Sequence, residues 1–211
     1  MKKPGRYDVF GLVEAQFEPG SKDQVLRNLL GIKSKKDMDQ IEAIALKQTE
    51  DKLFRTATYG KDHAFSTKDI CRIHEIWLGN IYEWAGRYRQ VELSTGEFKF
   101  ASAKYIPNLM QEFEKNFLHQ HTPCITSSRD RVVEALAEVH VELVLIHPFR
   151  EGNGRVARIL ATLMALQADF PPLNFRPIEG EKRDEYIAAI HAGLDKNYKP
   201  MEEIFDRILQ G

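Results

Sequence analysis

The sequence predicts a mostly α-helical domain carrying one β-hairpin. Three observations lead there. Apolar residues recur at helical spacing in successive stretches separated by Gly, Pro or short polar runs. Only Tyr88 to Phe100 alternates at the period of a strand. Arg131 to Ile146 is apolar around most of its helical circumference, as expected of a central core helix.

Taken in order, residues 1–20 are punctuated by Gly and Pro, with Phe10, Val13 and Phe17 as isolated apolar anchors, and read as an irregular arm. Ser21 or Asp23 is placed to cap a short helix carrying Val25, Leu26, Leu29 and Leu30, which Gly31 would end. A second helix is expected from about Asp37, with Met38, Ile41, Ile44, Ala45, Leu46 and Leu53 as its stripe, closed by Tyr59-Gly60. Ser66 or Thr67 caps a third, containing Ile70, Ile73, Ile76, Trp77 and Ile81. Tyr88 to Leu93 and Phe98 to Phe100 read as the strands of a hairpin turning through Ser94-Thr95-Gly96-Glu97. Ala103 to Leu118 returns to helical spacing, with Pro107 tolerated in its first turn. His119 to Ser128 reads as a loop, and its His-Gln-His has no carboxylate or cysteine at metal-ligand spacing. Helices follow over Arg131–Ile146, Arg155–Ala168, from about Glu181 through Ile190, and from Pro200 through Leu209. His140, seven residues before His147 on the same face, is read as a core histidine or one that supports the site from behind.

The bulk composition narrows the function. With 211 residues, 43% hydrophobic and 29% charged, the chain has the balance of an ordinary globular domain. A net charge of −1 offers no general field for nucleic acid or an anionic membrane, so any phosphate recognition must be local. No apolar run approaches the roughly 20 residues of a membrane span, and Met1 to Arg6 leads into no signal-like apolar stretch. Cys71 and Cys124 suggest neither zinc nor a disulfide framework, which points to a reduced, cytoplasmic compartment.

The chemistry concentrates in His147-Pro148-Phe149-Arg150-Glu151-Gly152-Asn153-Gly154-Arg155-Val156-Ala157-Arg158. Gly152 and Gly154 flank Asn153, so the backbone is able to take positive φ and turn consecutive N–H groups towards an anion. A helix starting near Arg155 adds its positive N-terminal dipole. Arg155 and Arg158 fall on one face of that helix. His147 is a base near neutrality. Single residues of this set are common in turns and on solvated helix faces; together they read as a polyphosphate cradle beside a base.

Residues 147–158 match the signature of the Fic family, His-Pro-Phe-x-(Asp/Glu)-Gly-Asn-Gly-Arg-x-x-Arg, at every specified position. Ile73 to Arg89 resembles the family's first core helix and the run into its flap hairpin, and Tyr186 its C-terminal core segment. The resemblance covers roughly residues 60–210. It implies a Fic fold, a helical bundle with a hairpin flap near the active-site loop, over 61–211, with 1–60 as an arm and helices packing on that core. It further implies transfer of AMP from ATP, with Mg²⁺, to a Ser, Thr or Tyr hydroxyl of a target protein docked on the flap. His147 would be the general base and Glu151 the carboxylate holding Mg²⁺. The backbone of Gly152, Asn153 and Gly154 would receive the α-phosphate, and Arg155 and Arg158 the β- and γ-phosphates. Lys99, Phe100 and Tyr186 would border the nucleotide. Relatives that phosphorylate carry Lys where this chain has Gly154. The competing readings are another transfer chemistry (a different nucleotide, phosphocholine, or AMP removal) and a non-catalytic module that binds peptides on the flap.

The family's inhibitory motif, (Ser/Thr)-x-x-x-Glu-(Gly/Asn), is missing: no Ser or Thr from Ser21 to Thr162 has Glu four residues on. The stretch from Phe17 to Ile32 resembles the leader of Fic toxins whose inhibitory helix lies on a separate small antitoxin. The resemblance therefore implies such a partner supplying the inhibitory Glu, with the toxin acting in its own cytoplasm or in that of another cell after delivery.

Overall fold

The computed structural model describes residues 11–55, 59–96, 98–126, 128–178 and 180–210; Phe10, Glu97 and the N-terminal Met1–Arg6 lie outside them. Seven principal helices and one hairpin follow in chain order: α1 (Lys35–Arg55), α2 (Thr67–Leu78), β1 (Ser94–Thr95), β2 (Phe98–Lys99), α3 (Ile106–Phe113), α4 (Arg129–Ile146), α5 (Asn153–Gln167), α6 (Arg183–Ala192) and α7 (Lys199–Gln210). The mostly α architecture with one hairpin is the expected one.

The centre is α4. Twelve of its residues are buried, from Val132 to Ile146, and α3, α5, α6 and α7 all pack against it. α1 lies outside, against α2 and α5. No described helix is long and apolar enough to cross a membrane.

α2 begins where its sequence says it should. The Ser66 side chain accepts the Asp69 N–H while Asp69 accepts the Ser66 N–H at 2.8 Å, a reciprocal capping box. It ends at Leu78, and Ile81 lies beyond it, buried. α3 carries Pro107 in its first turn, continues through a π turn over Glu114–Leu118, and closes at His119–His121.

Two expectations fail and a third, the α1 stripe, holds in part. No helix forms over residues 21–31. Lys22 and Asp23 take φ of +56° and +58°, Ser21 bonds the Val25 backbone, and Phe17 bridges to Leu26 as a short antiparallel contact. The Asn28 side chain then bonds the backbone of Leu26, Leu30 and Ile32, replacing helical bonds with loop bonds. In α1 the expected stripe holds for Met38 and Leu53, which are buried, and for Ile41, Ala45 and Leu46, which pack against the core; Ile44 is half exposed, and Glu42 and Thr49 join the inward face. The hairpin is shifted: Ser94 pairs with Lys99 and Thr95 with Phe98, so two residues expected in the turn are strand, and Tyr88 to Leu93 is irregular. His119 to His121, expected in a loop, are helical, and the His121 ring Nε2 lies 2.8 Å from Glu138 Oε2.

Candidate active site

The His147–Arg158 segment runs from the C-terminus of α4 into the second turn of α5. His147 ends α4 in the left-handed region, φ +54°, which turns the chain sharply out of the core. Phe149 is fully buried and stacks on the His74 ring at 4.0 Å. Asn153, almost fully buried, accepts the Phe149 N–H and donates to the Phe149 carbonyl, each at 2.8 Å. The loop is thus closed on itself by one amide side chain, so Asn153 contributes its backbone to the site and its side chain to the scaffold.

Only Gly152 of the two glycines takes a positive φ, +82°; a Cβ there would also meet the Trp77 ring at 2.4 Å. Gly154 lies within the first turn of α5, and a Cβ at Gly154 would meet nothing within 4 Å. The positive-φ pattern expected at both is therefore found at one. The first main-chain bond into α5 is Val156 N–H to Gly152 O, 3.0 Å. The N–H groups of Asn153, Gly154 and Arg155 precede it and have no helical acceptor, which makes this helix start an anion cradle. The Gly152 N–H is not part of that cradle, since it donates to Glu151 Oε1 at 2.9 Å.

A cavity of about 590 Å³ opens here, and His147, Glu151 to Arg155, Arg158 and Tyr186 all line it. The hairpin contributes Thr95, Phe98 and Phe100, and the far wall is Ile178, Arg183, Ile187 and His191. Lys99 is not in the wall: on β2 it faces away from the side shared by Phe98 and Phe100, and it is exposed. The β2 side chain that lines the cavity is Phe98, which stacks on His191 at 4.5 Å. Alternation along Phe98-Lys99-Phe100 was the available signal for that choice.

The state of His147 follows from its contacts. Nδ1 lies 3.0 Å from the Val144 carbonyl, which only accepts, so Nδ1 carries the proton and Nε2 keeps its lone pair. Phe100 stacks on the ring at 3.6 Å. Burial, helped by the charge of Arg89, pushes the imidazole pKa down to about 4, so the basic form prevails at neutral pH.

Glu151 and Arg155 form an ion pair at 3.2 Å, and Arg155 also meets Glu42 Oε2 at 3.1 Å over the Trp77 ring. Glu42 comes from α1, is buried, and accepts the Tyr82 hydroxyl at 2.7 Å. Arg155 thus enters the cavity already held by two carboxylates. The sequence reading passed over Glu42; its place between Met38 and Thr49 on the inward face of α1 was the available signal. Arg158 sits over the rings of Phe175 and Tyr186 at 5.6 and 5.9 Å. Tyr186 meets His140 Nε2 at 2.8 Å through its hydroxyl, and burial pushes its pKa up to about 12. His140 is the expected buried histidine, held behind the cavity wall.

His74, to which the sequence analysis assigns no role of its own, supports the loop from below. It accepts the Gly86 N–H on Nδ1 at 2.8 Å, which leaves Nε2–H to donate to the Glu151 carbonyl at 3.1 Å.

A base, an open helix start and paired cations around one cavity are the parts of a phosphate-transfer site, and residues 64–165 match the model of the Fic/DOC family. A "Probable protein adenylyltransferase Fic" from Salmonella typhimurium is 30% identical over 157 residues, covering 69% of this chain and 70% of that protein. The chain belongs to the Fic/DOC family. "Protein adenylyltransferase fic-1" of Caenorhabditis elegans is 33% identical over 142 residues, 66% of this chain, and the chain spans only 26% of that relative's length. Among solved structures, BepC of Bartonella tribocorum, with bound AMPPNP, has a TM-score of 0.74 at 20% identity, covering 94% of this chain and 97% of that one. The helical bundle with its hairpin is therefore the Fic fold.

Proposed function

We propose that this Fic domain is a protein adenylyltransferase, moving AMP from ATP to a Ser, Thr or Tyr hydroxyl of a target protein. The observation that carries the reading is the 3.0 Å contact of His147 Nδ1 with the Val144 carbonyl, which leaves Nε2 as the bare nitrogen of a residue on the same cavity as the open start of α5. Nε2 takes the proton of the target hydroxyl as its oxygen bonds to the α-phosphorus, and the bond to the leaving pyrophosphate breaks. The N–H groups of Asn153, Gly154 and Arg155 face the negative charge that gathers on the α-phosphate. Arg158 and Arg155 serve the β- and γ-phosphates, Arg155 by exchanging a carboxylate partner for phosphate.

Glu151 fits a Mg²⁺ held mainly by phosphate and water. It is a part-exposed carboxylate in the cavity wall, and no cluster of three or more metal-ligating residues exists among the described residues. The ion, when bound with ATP, would neutralise phosphate charge. Phe98, Phe100 and Tyr186 supply the apolar wall for the nucleoside.

In this reading the target segment docks on the hairpin by main-chain bonds, residues 61–211 form the catalytic domain with 1–60 packed on it, and a separate small antitoxin supplies an inhibitory Glu. The protein acts in the cytoplasm, of its own cell or of a recipient. The test is mass spectrometry of lysate proteins after incubation with ATP, CTP, GTP or UTP. An adenylyl phosphodiester on a hydroxyl residue, absent with His147→Ala, is expected. A different nucleotide, or modification that survives His147→Ala, would refute it.

A further inference from the structure

The catalytic histidine is gripped from behind by an arginine that no motif singles out. Arg89 is 1% exposed, and its guanidinium donates to three backbone carbonyls, each at 2.7 Å: Nε to His147, one terminal nitrogen to Val91 and the other to Ala101. Its own main-chain N–H donates to the Pro148 carbonyl at 2.8 Å. Val91 and Ala101 stand on the two legs of the hairpin, below the strands. His147 and Pro148 form the turn out of α4. One side chain therefore fastens both legs of the hairpin to the turn that presents the base. The next residue is fixed as well, since the Gln90 N–H donates to Glu14 Oε1 at 2.6 Å.

We propose that Arg89 is a positioning residue for His147, setting the ring that Phe100 covers and coupling hairpin placement to base orientation. A guanidinium so fully buried, with no direct carboxylate partner among the described residues, is costly unless its donors are matched, and here the fork geometry matches three acceptors. Phe100 lies next to Ala101, whose carbonyl Arg89 holds, and its ring stacks 3.6 Å from His147. Loss of the guanidinium releases the His147 carbonyl and Phe100 together, so the imidazole loses its turn and its cover at once. Lysine keeps the charge but has no planar fork, and it reaches fewer of the three acceptors.

The assignment rests on His147 being the base of the proposed transfer, and the test separates the two. Arg89→Lys and Arg89→Met are compared with the unaltered chain in three measurements: labelled transfer, calorimetric titration with MgATP, and side-chain nitrogen NMR of His147, assigned by its loss in His147→Ala. Transfer is expected to fall about 100-fold, as for a small misplacement of a reacting group, with MgATP affinity kept within about threefold. The His147 nitrogens, one protonated and one bare in the parent, are expected to move towards an averaged tautomer mixture. Unchanged transfer, or an ATP affinity that falls in step with it, would overturn the role. So would unfolding of both variants, which would make Arg89 purely structural. If the parent chain transfers no label, the proposed function fails and the NMR signal still decides the role of Arg89.

Discussion

At the scale of single residues, His147 sets the clearest expectation. Its pKa is pushed to about 4 mainly by burial, so the neutral base persists well below the ordinary histidine range. Transfer rates measured from pH 8 to 6 should show no inflection near 6.5; a break there would mean that His147 titrates as if exposed. Replacing His147 by Ala should cost about 100-fold or more in rate. Gly152→Ala places a methyl 2.4 Å from Trp77 at a φ of +82°, and Trp77 is packed in the core with its indole N–H bonded to Glu42. Urea unfolding should show a loss of about 1–3 kcal/mol, and a variant as stable as the parent would contradict the packing described. Much of this was legible. His147, Gly152 and the two arginines were singled out from spacing alone. Glu42, His74 and Arg89 were not, because each acts through main-chain carbonyls or an ion pair far away in sequence, and nothing in local spacing encodes those contacts.

At the scale of elements, long helices announced themselves and short structure did not. α4 was readable because burial on all sides makes its apolar run continuous, and α2 because Ser66 and Asp69 form a cap within four residues. Ser66→Ala should lower stability by about 1 kcal/mol in urea unfolding with transfer unchanged; no loss would mean that the cap contributes nothing. The hairpin was placed correctly but misread in register, since Tyr88 to Leu93 alternates in type while Arg89 within it is bonded to the His147–Pro148 turn. The helix expected over residues 21–31 was lost to Ser21 and Asn28, whose side chains bond the backbone in place of helical partners. Apolar spacing over so few residues is outweighed by such local bonds.

For the whole molecule, three histidines, His74 and His140 buried and His147 half-buried, tie stability to pH. His74 and His147 are pushed down to about 4 and His140 to about 3, burial being the main cause in each. At pH 7 all three are neutral, folded or unfolded. Below about 6.5 the unfolded chain takes up protons that the folded chain refuses until about pH 4 or below, so stability is full above 6.5 and falls as pH decreases. Each unit of difference is worth about 1.4 kcal/mol per site. The thermal midpoint should therefore be level from pH 8 to 7 and fall steadily below 6.5. A level midpoint down to pH 5 would contradict the burial of these rings. The same burial holds the site together, because His74 supports the Glu151 carbonyl and His140 the Tyr186 hydroxyl.

The central claim is that this site moves AMP to a polypeptide with His147 as base. Parallel reactions with ATP labelled at the α- or the γ-phosphate, resolved by protein electrophoresis, test it most directly. Label from the α position should appear on a polypeptide and vanish with His147→Ala, while γ label stays in released pyrophosphate. Transfer of the γ label to protein, or α labelling that persists without His147, would contradict it.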